Sequence, residues 1–468
     1  MGKYRVCVRV ALFIAILLFG YACKESGKNE DDGAVHADSL SALSQSTDSL
    51  GADSLIAKTD SLGKPIKYST AVDSSKIVHN FSLSDSVHIT RPYQRKDIKV
   101  KALYLTGWTV GLSARLNYFI DLANKTEINS YVVNIKDDDG FVAYKSNLTA
   151  VNNIKGWVNA YNVEKVLEAF HSNDIYIIGR LSCFKDPVLA EARPELAVKS
   201  KKGGVWRDPA GRAWLNPYNR DVWKFIVDIA KEAVNKGFDE IQFDYVRFAN
   251  DGDYKDMDFS QYTEKKYEAI ANFLKYAKEA MPNVKISADV FGIICVSSGD
   301  TEGIGQHLEH VGKDIEYLSP MVYPSHYALG QVINGTTFSK PDLEPYKVIY
   351  NTLMKAKSRI ALVPQYKAQM RPYLQDFTAK WIGPGNYKSY GAMEVRQQIQ
   401  AVYDAGYEEW IFWNAANRYS ADAYLHPELY KVTPKVIAAD SVNASKKTVV
   451  VTPKKILLLP ILLPKKLP

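Results

Sequence analysis

The residues best placed to do chemistry lie in the segment Gly237–Phe248, which reads Gly-Phe-Asp-Glu-Ile-Gln-Phe-Asp-Tyr-Val-Arg-Phe. A glycine after a basic residue is typical of a helix end, and the residues that follow alternate between apolar and polar, as in a short strand. The apolar side chains would face one side and Gln242 and Asp244 the other. A buried carboxylate at a strand end is costly unless it is paired or takes part in a reaction. Asp244 is therefore either a catalytic carboxylate or a structural residue that pairs with Arg247 or caps a loop.

Asp244 belongs to a pattern in which eight short apolar runs alternate with helical segments. The repeated alternation predicts an α/β fold, a (β/α)8 TIM-type barrel. An open doubly wound sheet is the alternative, but it would carry a glycine-rich phosphate loop after the first strand, and residues 106–111 do not supply one. The predicted strands are Val100–Thr106, Tyr131–Lys136, Ile175–Leu181, Glu240–Tyr245, Val284–Val290, Tyr317–Tyr323, Ile360–Gln365 and Trp410–Asn414. The predicted helices are Ala114–Asn124, Val163–Ser172, Asp221–Asn235, Gln261–Ala280, Glu344–Lys357 and Ala392–Ala405.

Such a barrel brings the carboxyl ends of all its strands to one face, where active sites are built. The residues at these ends include carboxylates, arginines, amides and aromatic rings, which together suit a sugar. Those expected to bind a substrate are Trp108, Lys136, Asp137, Arg180, Arg247, Tyr323, His326, Gln365, Trp413 and Asn414.

Cleavage of a glycosidic bond requires two carboxyl groups, one as acid and one as nucleophile or base. Asp244 and Asp289 end neighbouring strands and form the predicted catalytic pair. Arg180 or Arg247 would hold one of them ionised, while burial would raise the pKa of the other. The alternative for Asp289 is a helix cap or a loop contact, and the triplet Asp137–Asp139 is more typical of a turn.

Composition narrows the classes of function. The net charge of +7 is spread over 468 residues without a long basic run in the predicted barrel, so nucleic-acid binding has little support. The aspartate triplet lacks the spacing of a calcium loop. The four cysteines, Cys7, Cys23, Cys183 and Cys295, form neither a metal-type pair nor a disulfide framework. We therefore expect no metal ion and no cofactor.

Residues 1–23 have the pattern of an export signal. Three basic residues precede the apolar run Val10–Phe19, which is too short to span a membrane comfortably. The segment ends in Gly-Tyr-Ala-Cys and resembles the lipobox of bacterial lipoproteins, with Gly20 where a leucine is usual. This resemblance implies a lipid anchor at Cys23 and a cell-envelope location on the outer membrane, facing the periplasm or the surface. Plain secretion and an uncleaved N-terminal anchor are the alternatives.

The sequence divides into four parts. Residues 1–23 are the signal, and residues 24–97 are a Ser- and Asp-rich stretch in which Asp-Ser-Leu recurs, predicted to be a disordered tether. Residues 98–435 are the barrel domain. Residues 436–468 form a tail that mixes lysines with short apolar runs and suggests no function.

Several segments of the barrel resemble a family of glycoside hydrolase domains in bacterial exported proteins, formerly a domain of unknown function. The resemblance implies a TIM-type barrel related to alpha-amylase-like glycosidases. In that group a strand-four Asp is commonly the nucleophile, which corresponds to Asp244, and the strand-five acid is typically Glu, where this chain has Asp289. The matching segments are Ala102–Thr106, Asn134–Asp137, Leu215–Pro217, Gly237–Phe248, Tyr317–Tyr327 and Trp413–Tyr419.

The predicted function is that of an exported glycoside hydrolase acting on a cell-envelope or extracellular polysaccharide or oligosaccharide. The alternative is a noncatalytic, carbohydrate-binding envelope lipoprotein, and a third hypothesis is a lyase or deacetylase-like enzyme. Carboxyl groups facing each other across an open cleft would favour hydrolysis. An Asp244 locked to Arg247 outside a filled barrel would favour binding or a structural role.

Overall fold

The computed structural model describes residues 81–90 and 97–426. The predicted signal with Cys23, most of the predicted tether and the predicted tail lie outside these residues. Within them, no helix is long and apolar enough to cross a membrane.

Parallel strands close into a barrel. Each strand pairs with the next, and the last pairs with the first, where Lys101 lies opposite Trp410. The predicted α/β fold, a (β/α)8 TIM-type barrel, is confirmed. The strands are β1 (Lys101–Leu105), β2 (Ser130–Lys136), β3 (Tyr176–Ser182), β4 (Glu240–Asp244), β5 (Lys285–Phe291), β6 (Tyr317–Met321), β7 (Tyr373–Gln375) and β8 (Trp410–Trp413).

Helices cover the outside of the barrel, and apolar side chains of the strands pack under them. Phe243 of β4, for example, meets the ring of Phe273 with centroids 5.3 Å apart. Six longer helices coincide with the predicted segments, and one four-residue helix, α5, lies between the fourth and the fifth of them where the sequence predicts none. In chain order the seven are α1 (Ser113–Lys125), α2 (Val163–His171), α3 (Arg220–Lys236), α4 (Lys266–Ala280), α5 (Leu308–Val311), α6 (Pro345–Ile360) and α7 (Ala392–Asp404). Shorter helices are Gly107–Gly111, Thr149–Asn153 and Pro187–Ala192, and short strands outside the barrel are Lys199–Ser200, Met257–Asp258, Gln331–Ile333, Thr336–Phe338 and Gln369–Met370.

The seventh strand is not where the sequence predicts it. The run Ile360–Gln365 is the last residue of α6 and the loop that follows, whereas β7 is the three-residue segment Tyr373–Gln375. Three residues are too few to show a recognisable alternation. Gln365 consequently lies beside Lys99 and Glu409, which precede β1 and β8, at the end of the barrel opposite the carboxyl ends of the strands.

A network of buried charges ties the barrel together near the amino ends of its strands. Nη1 of Arg371 donates a hydrogen bond to Oε1 of Glu240, and Nε donates to Oε2 of Glu409, both at 2.7 Å. The hydroxyl of Ser287 donates to the same Glu240 oxygen at 2.6 Å, and the guanidinium lies 3.5 Å from the centroid of the Tyr317 ring. Buried charges persist only when each has partners of this kind.

Arg371→Met is expected to lower the free energy of unfolding by about 3–5 kcal/mol, because it leaves Glu240 and Glu409 buried without a cation. Urea unfolding followed by tryptophan fluorescence measures the change. Lys125→Met is the control, since it removes a cation from an exposed pair with Asp121 on α1 and should leave stability almost unchanged. A loss for Arg371→Met no larger than that of the control would show that the network does not hold the barrel together.

Candidate functional site

A cleft opens at the carboxyl ends of the strands. It encloses about 650 Å³ of empty space, its open mouth included. Seven of its lining residues are those that the sequence predicts, namely Asp244, Asp289, Arg180, Arg247, Tyr323, His326 and Trp413. The other lining residues are Tyr245, Phe291, Gln306, Met321 and Tyr373.

Arg180 of β3 fixes the carboxylate of Asp244. Its Nε and Nη2 donate to Oδ2 of Asp244 at 2.8 and 2.5 Å. Its Nη1 donates to Oδ1 of Asn134 at 3.0 Å, and Nδ2 of Asn134 donates in turn to the Tyr104 hydroxyl at 2.9 Å. The other oxygen of Asp244 accepts the backbone N–H of Tyr245 at 2.6 Å. The carboxylate is therefore held in one orientation, with a positive charge against it.

Arg247 is not the partner of Asp244. Its Nη1 donates to the carbonyl of Phe248 at 3.1 Å and to Oδ1 of Asn250 at 2.8 Å. Its guanidinium lies 4.9, 5.4 and 4.8 Å from the ring centroids of Trp214, Tyr245 and Phe291. The predicted alternative in which Arg247 pairs with Asp244 is thus absent from the described residues.

Asp289 of β5 is in a different environment from Asp244. It is 1% exposed, and its Oδ1 has no hydrogen-bond partner among residues 81–90 and 97–426. Burial and the nearby charge of Asp244 raise the pKa of Asp289 well above its ordinary value, against the opposing effect of Arg180. One carboxyl group of the cleft thus faces a cation while the other favours its protonated form, which is the division that acid–base pairs require.

His326 contributes a neutral imidazole to the cleft. Burial lowers its pKa to about 4. Its Nδ1 lies 3.0 Å from the hydroxyl of Ser325, and its Nε2 has no partner in the part of the chain that the structure describes. Because Nε2 is buried, His326 lines the cleft as a neutral ring and adds no charge to it.

Aromatic rings form one wall of the cleft and extend beyond it. Tyr323 and Trp413 lie with ring centroids 6.1 Å apart, and Phe377 meets Trp413 edge-on at 5.5 Å. Trp381 stacks on Phe377 at 5.8 Å and is 42% exposed. The sequence does not predict Phe377 and Trp381 in the site, because they follow β7, and a strand of three residues gives no recognisable alternation by which to place it.

Lys136 does not reach the cleft. A β-bulge shifts the pairing of β2 and β3, so that Asn134 lies opposite Arg180 but Lys136 lies opposite Leu181. The bulge turns the Lys136 side chain out of the barrel. There it is fully buried, and its Nζ lies 3.0 Å from Oδ2 of Asp186.

Four further predicted residues also lie outside the cleft. Trp108 and Asp137 line a smaller recess beside Asn134. Asn414 holds the turn after β8, because its Nδ2 donates to the Asp376 carbonyl at 2.6 Å and its Oδ1 accepts the N–H of Ala416 at 2.9 Å. Gln365 is at the opposite end of the barrel, as described above. Across the described ranges, no group of three or more His, Cys, Asp or Glu side chains is arranged to hold a metal ion.

Asp289→Asn is expected to stabilise the protein increasingly as the pH rises from about 4. The folded state holds the Asp289 proton at a pH where the unfolded chain has released it, so wild-type stability falls with pH until the folded-state pKa is passed. Urea unfolding of both proteins between pH 4 and 9 measures the difference. Ser319→Ala, at the position paired with Asp289 on β6, has no carboxyl group and should shift stability equally at every pH. A difference between Asp289→Asn and wild type that is constant with pH would contradict the raised pKa.

The sequence matches, over residues 102–419, a family model described as "Putative glycosyl hydrolase domain". A hypothetical protein from Ruminiclostridium thermocellum ATCC 27405 is 60% identical, with 41% of this chain and 99% of that chain covered and a TM-score of 0.39. The PgaB (BpsB) glycoside hydrolase domain from Bordetella bronchiseptica is 13% identical, with 70% of this chain and 99% of that chain covered. Its TM-score of 0.50 shows a likeness of fold. The Bacillus cereus spore cortex-lytic enzyme SleL is 13% identical, with 70% of this chain and 74% of that chain covered and a TM-score of 0.41. No curated protein matches the chain. Because the family model extends from β1 to the loop after β8, this chain belongs to that glycosyl hydrolase domain family.

Proposed function

We propose that this chain is a glycoside hydrolase that cleaves a polysaccharide or oligosaccharide with Asp244 and Asp289. The observation that carries the proposal is the contrast between these two groups in one cleft. Asp244 is bound by the Arg180 guanidinium, whereas Asp289 is buried and its pKa is raised. Glycosidic cleavage needs one ionised carboxylate and one carboxylic acid.

In the proposed reaction, Asp289 donates its proton to the glycosidic oxygen as the bond to the anomeric carbon breaks. Asp244 faces the positive charge that develops on the sugar, either attacking the anomeric carbon or taking a proton from the water that attacks it. Arg180 keeps the Asp244 carboxylate in place through this step. If Asp244 attacks, Asp289 then takes a proton from the water that hydrolyses the sugar–Asp244 bond and is thereby reprotonated. If Asp244 takes the proton from the attacking water, it releases that proton to solvent, and Asp289 takes one up from solvent before the next cycle.

The surroundings of the two carboxyl groups suit a sugar. Trp413 and Tyr323 present rings inside the cleft, and Trp381 presents an exposed ring at its edge. Aromatic rings with polar groups close by are typical of sites for ligands that have both apolar faces and hydroxyls. The guanidinium of Arg247, which also lines the cleft, supplies one such polar group.

The second candidate is a noncatalytic carbohydrate-binding protein. One observation favours it, because both oxygens of Asp244 already accept hydrogen bonds, from Arg180 and from the Tyr245 N–H. Such bonds weaken a carboxylate as a nucleophile or base. A binder would use the same rings and the same cleft but would leave the glycan intact.

Wild-type protein is expected to release reducing ends from at least one member of a panel that includes bacterial exopolysaccharides and peptidoglycan. Asp244→Asn and Asp289→Asn should each lower kcat/KM by at least about a hundredfold. Asp121→Asn, on an exposed face of α1, is the matched control and should keep full activity.

An aryl glycoside with a good leaving group separates the two roles. Asp289→Asn should retain much of its activity on this substrate, because a good leaving group needs little protonation, whereas Asp244→Asn should remain inactive. Loss of activity in Asp244→Asn alone on the natural glycan would mean that another residue is the acid. If wild type and both variants retain a glycan on a column without cutting it, the protein is a binder.

We also propose that the protein is exported and lipid-anchored at Cys23 in the cell envelope, which rests on the sequence pattern of residues 1–23. Cys23→Ser should abolish labelling by an alkyne-tagged palmitate and move the protein to the soluble fraction. Cys7→Ser is the matched control, because Cys7 precedes the apolar run and would be removed with the signal. Equal labelling of the two variants would rule out Cys23 as the lipidated residue.

A further inference from the structure

Arg247 is a buried arginine that no carboxylate neutralises within the described residues. It is 2% exposed and yet lines the cleft. Its Nη1 makes both of its hydrogen bonds, to the carbonyl of Phe248 and to Asn250, while Nε and Nη2 have no acceptor in residues 81–90 and 97–426. Other guanidinium groups of the interior are paired, as Arg180 is with Asp244 and Arg371 with Glu240.

The surroundings of Arg247 do not cancel its charge. Three aromatic rings pack around the guanidinium and offset part of the cost of burying it, but they carry no net charge. The negative charge of Asp244 is already engaged by Arg180. Asp289 favours its protonated form, and His326 is neutral above a pH of about 4. The cleft therefore holds one balanced ion pair and one unbalanced cation, and a buried cation of this kind is stabilised by an anion.

We propose that the cleft binds an acidic glycan, in which a sugar carries a carboxylate, and that Arg247 binds this carboxylate through Nε and Nη2. These two nitrogens form one edge of the guanidinium and match the two oxygens of a carboxylate in a pair of parallel hydrogen bonds. The aromatic rings around the guanidinium hold its plane in place, so little freedom is lost on binding. The substrate class rests on the proposed function, but binding can be measured without cleavage.

The experiment compares uronate-containing tetrasaccharides with their carboxyl-reduced partners, in which each carboxylate is replaced by a primary alcohol. Isothermal titration calorimetry is done in an Asp289→Asn background, which prevents cleavage and leaves the Arg180–Asp244 pair intact. At least one uronate is expected to bind about tenfold or more tightly than its reduced partner, the range of a charge-assisted hydrogen bond. Adding Arg247→Met should remove this preference, so that the uronate and its reduced partner bind with similar affinity, and measurable binding of both also shows that the variant is folded.

Arg247→Lys is the second variant, because it keeps the charge and loses the paired geometry. It should retain a reduced preference, and it decides the question if Arg247→Met fails to fold. No preference for any uronate, the same preference with and without the Arg247 side chain, or tighter binding of a phosphorylated tetrasaccharide would overturn the proposal. Cleavage of neutral glycans without a uronate preference would overturn it and leave the hydrolase function standing. A uronate preference in a protein whose wild type cleaves no glycan would support the acidic-glycan proposal and overturn the hydrolase function.

Discussion

The alternation of β4 sets the main constraint on this barrel, because it points Glu240, Gln242 and Asp244 into the interior one above another. Three polar side chains from one strand must then find partners inside a closed cylinder from which water is largely excluded. Each finds them on other strands or, for Arg371, just before one, at successive heights along the barrel axis. The partners are Arg371 and Ser287 for Glu240, Tyr373 and Ser319 for Gln242, and Arg180 for Asp244. The interior is therefore tied together by polar contacts that radiate from a single strand.

The same constraint explains why the two carboxyl groups of the cleft differ. The pairing of β4 with β5 runs as far as Phe243 opposite Ala288, and the next residues along are Asp244 and Asp289. Two carboxyl groups in adjacent positions cannot both ionise cheaply, and the nearby cation is already bound to one of them. Asp289 is left with burial and a negative neighbour, which both favour its protonated form. Both carboxyl groups are aspartates, so their difference does not come from the residue type. It follows from the position of Arg180, which binds the aspartate of β4.

The sequence was sufficient to predict the barrel and most of the cleft because period-two alternation and glycine stops are local signals. The sequence does not predict features whose position depends on contacts with neighbouring strands. β7 is three residues long and follows Arg371-Pro372, whereas the sequence predicts the seventh strand in the longer apolar run Ile360–Gln365 and therefore puts Gln365 at the wrong end of the barrel. Because Lys136 ends β2, the sequence predicts it in the cleft. A one-residue bulge turns its side chain outward to Asp186 instead, and such a bulge has no recognisable local sequence pattern. Phe377 and Trp381 follow β7, so the sequence does not predict them in the cleft either.

The residue after Asp244 shows how the chain fixes the orientation of the site. Tyr245 has a φ of 47°, in the left-handed region that costs a non-glycine residue of this size roughly 1–3 kcal/mol. The kink follows directly on β4, and it sets the direction of the Tyr245 side chain, whose ring lies against the Arg247 guanidinium. The N–H of the same residue donates to Oδ1 of Asp244. Tyr245 thus contacts both the carboxylate that faces Arg180 and the arginine that forms no ion pair, so the two charged halves of the cleft meet at one residue.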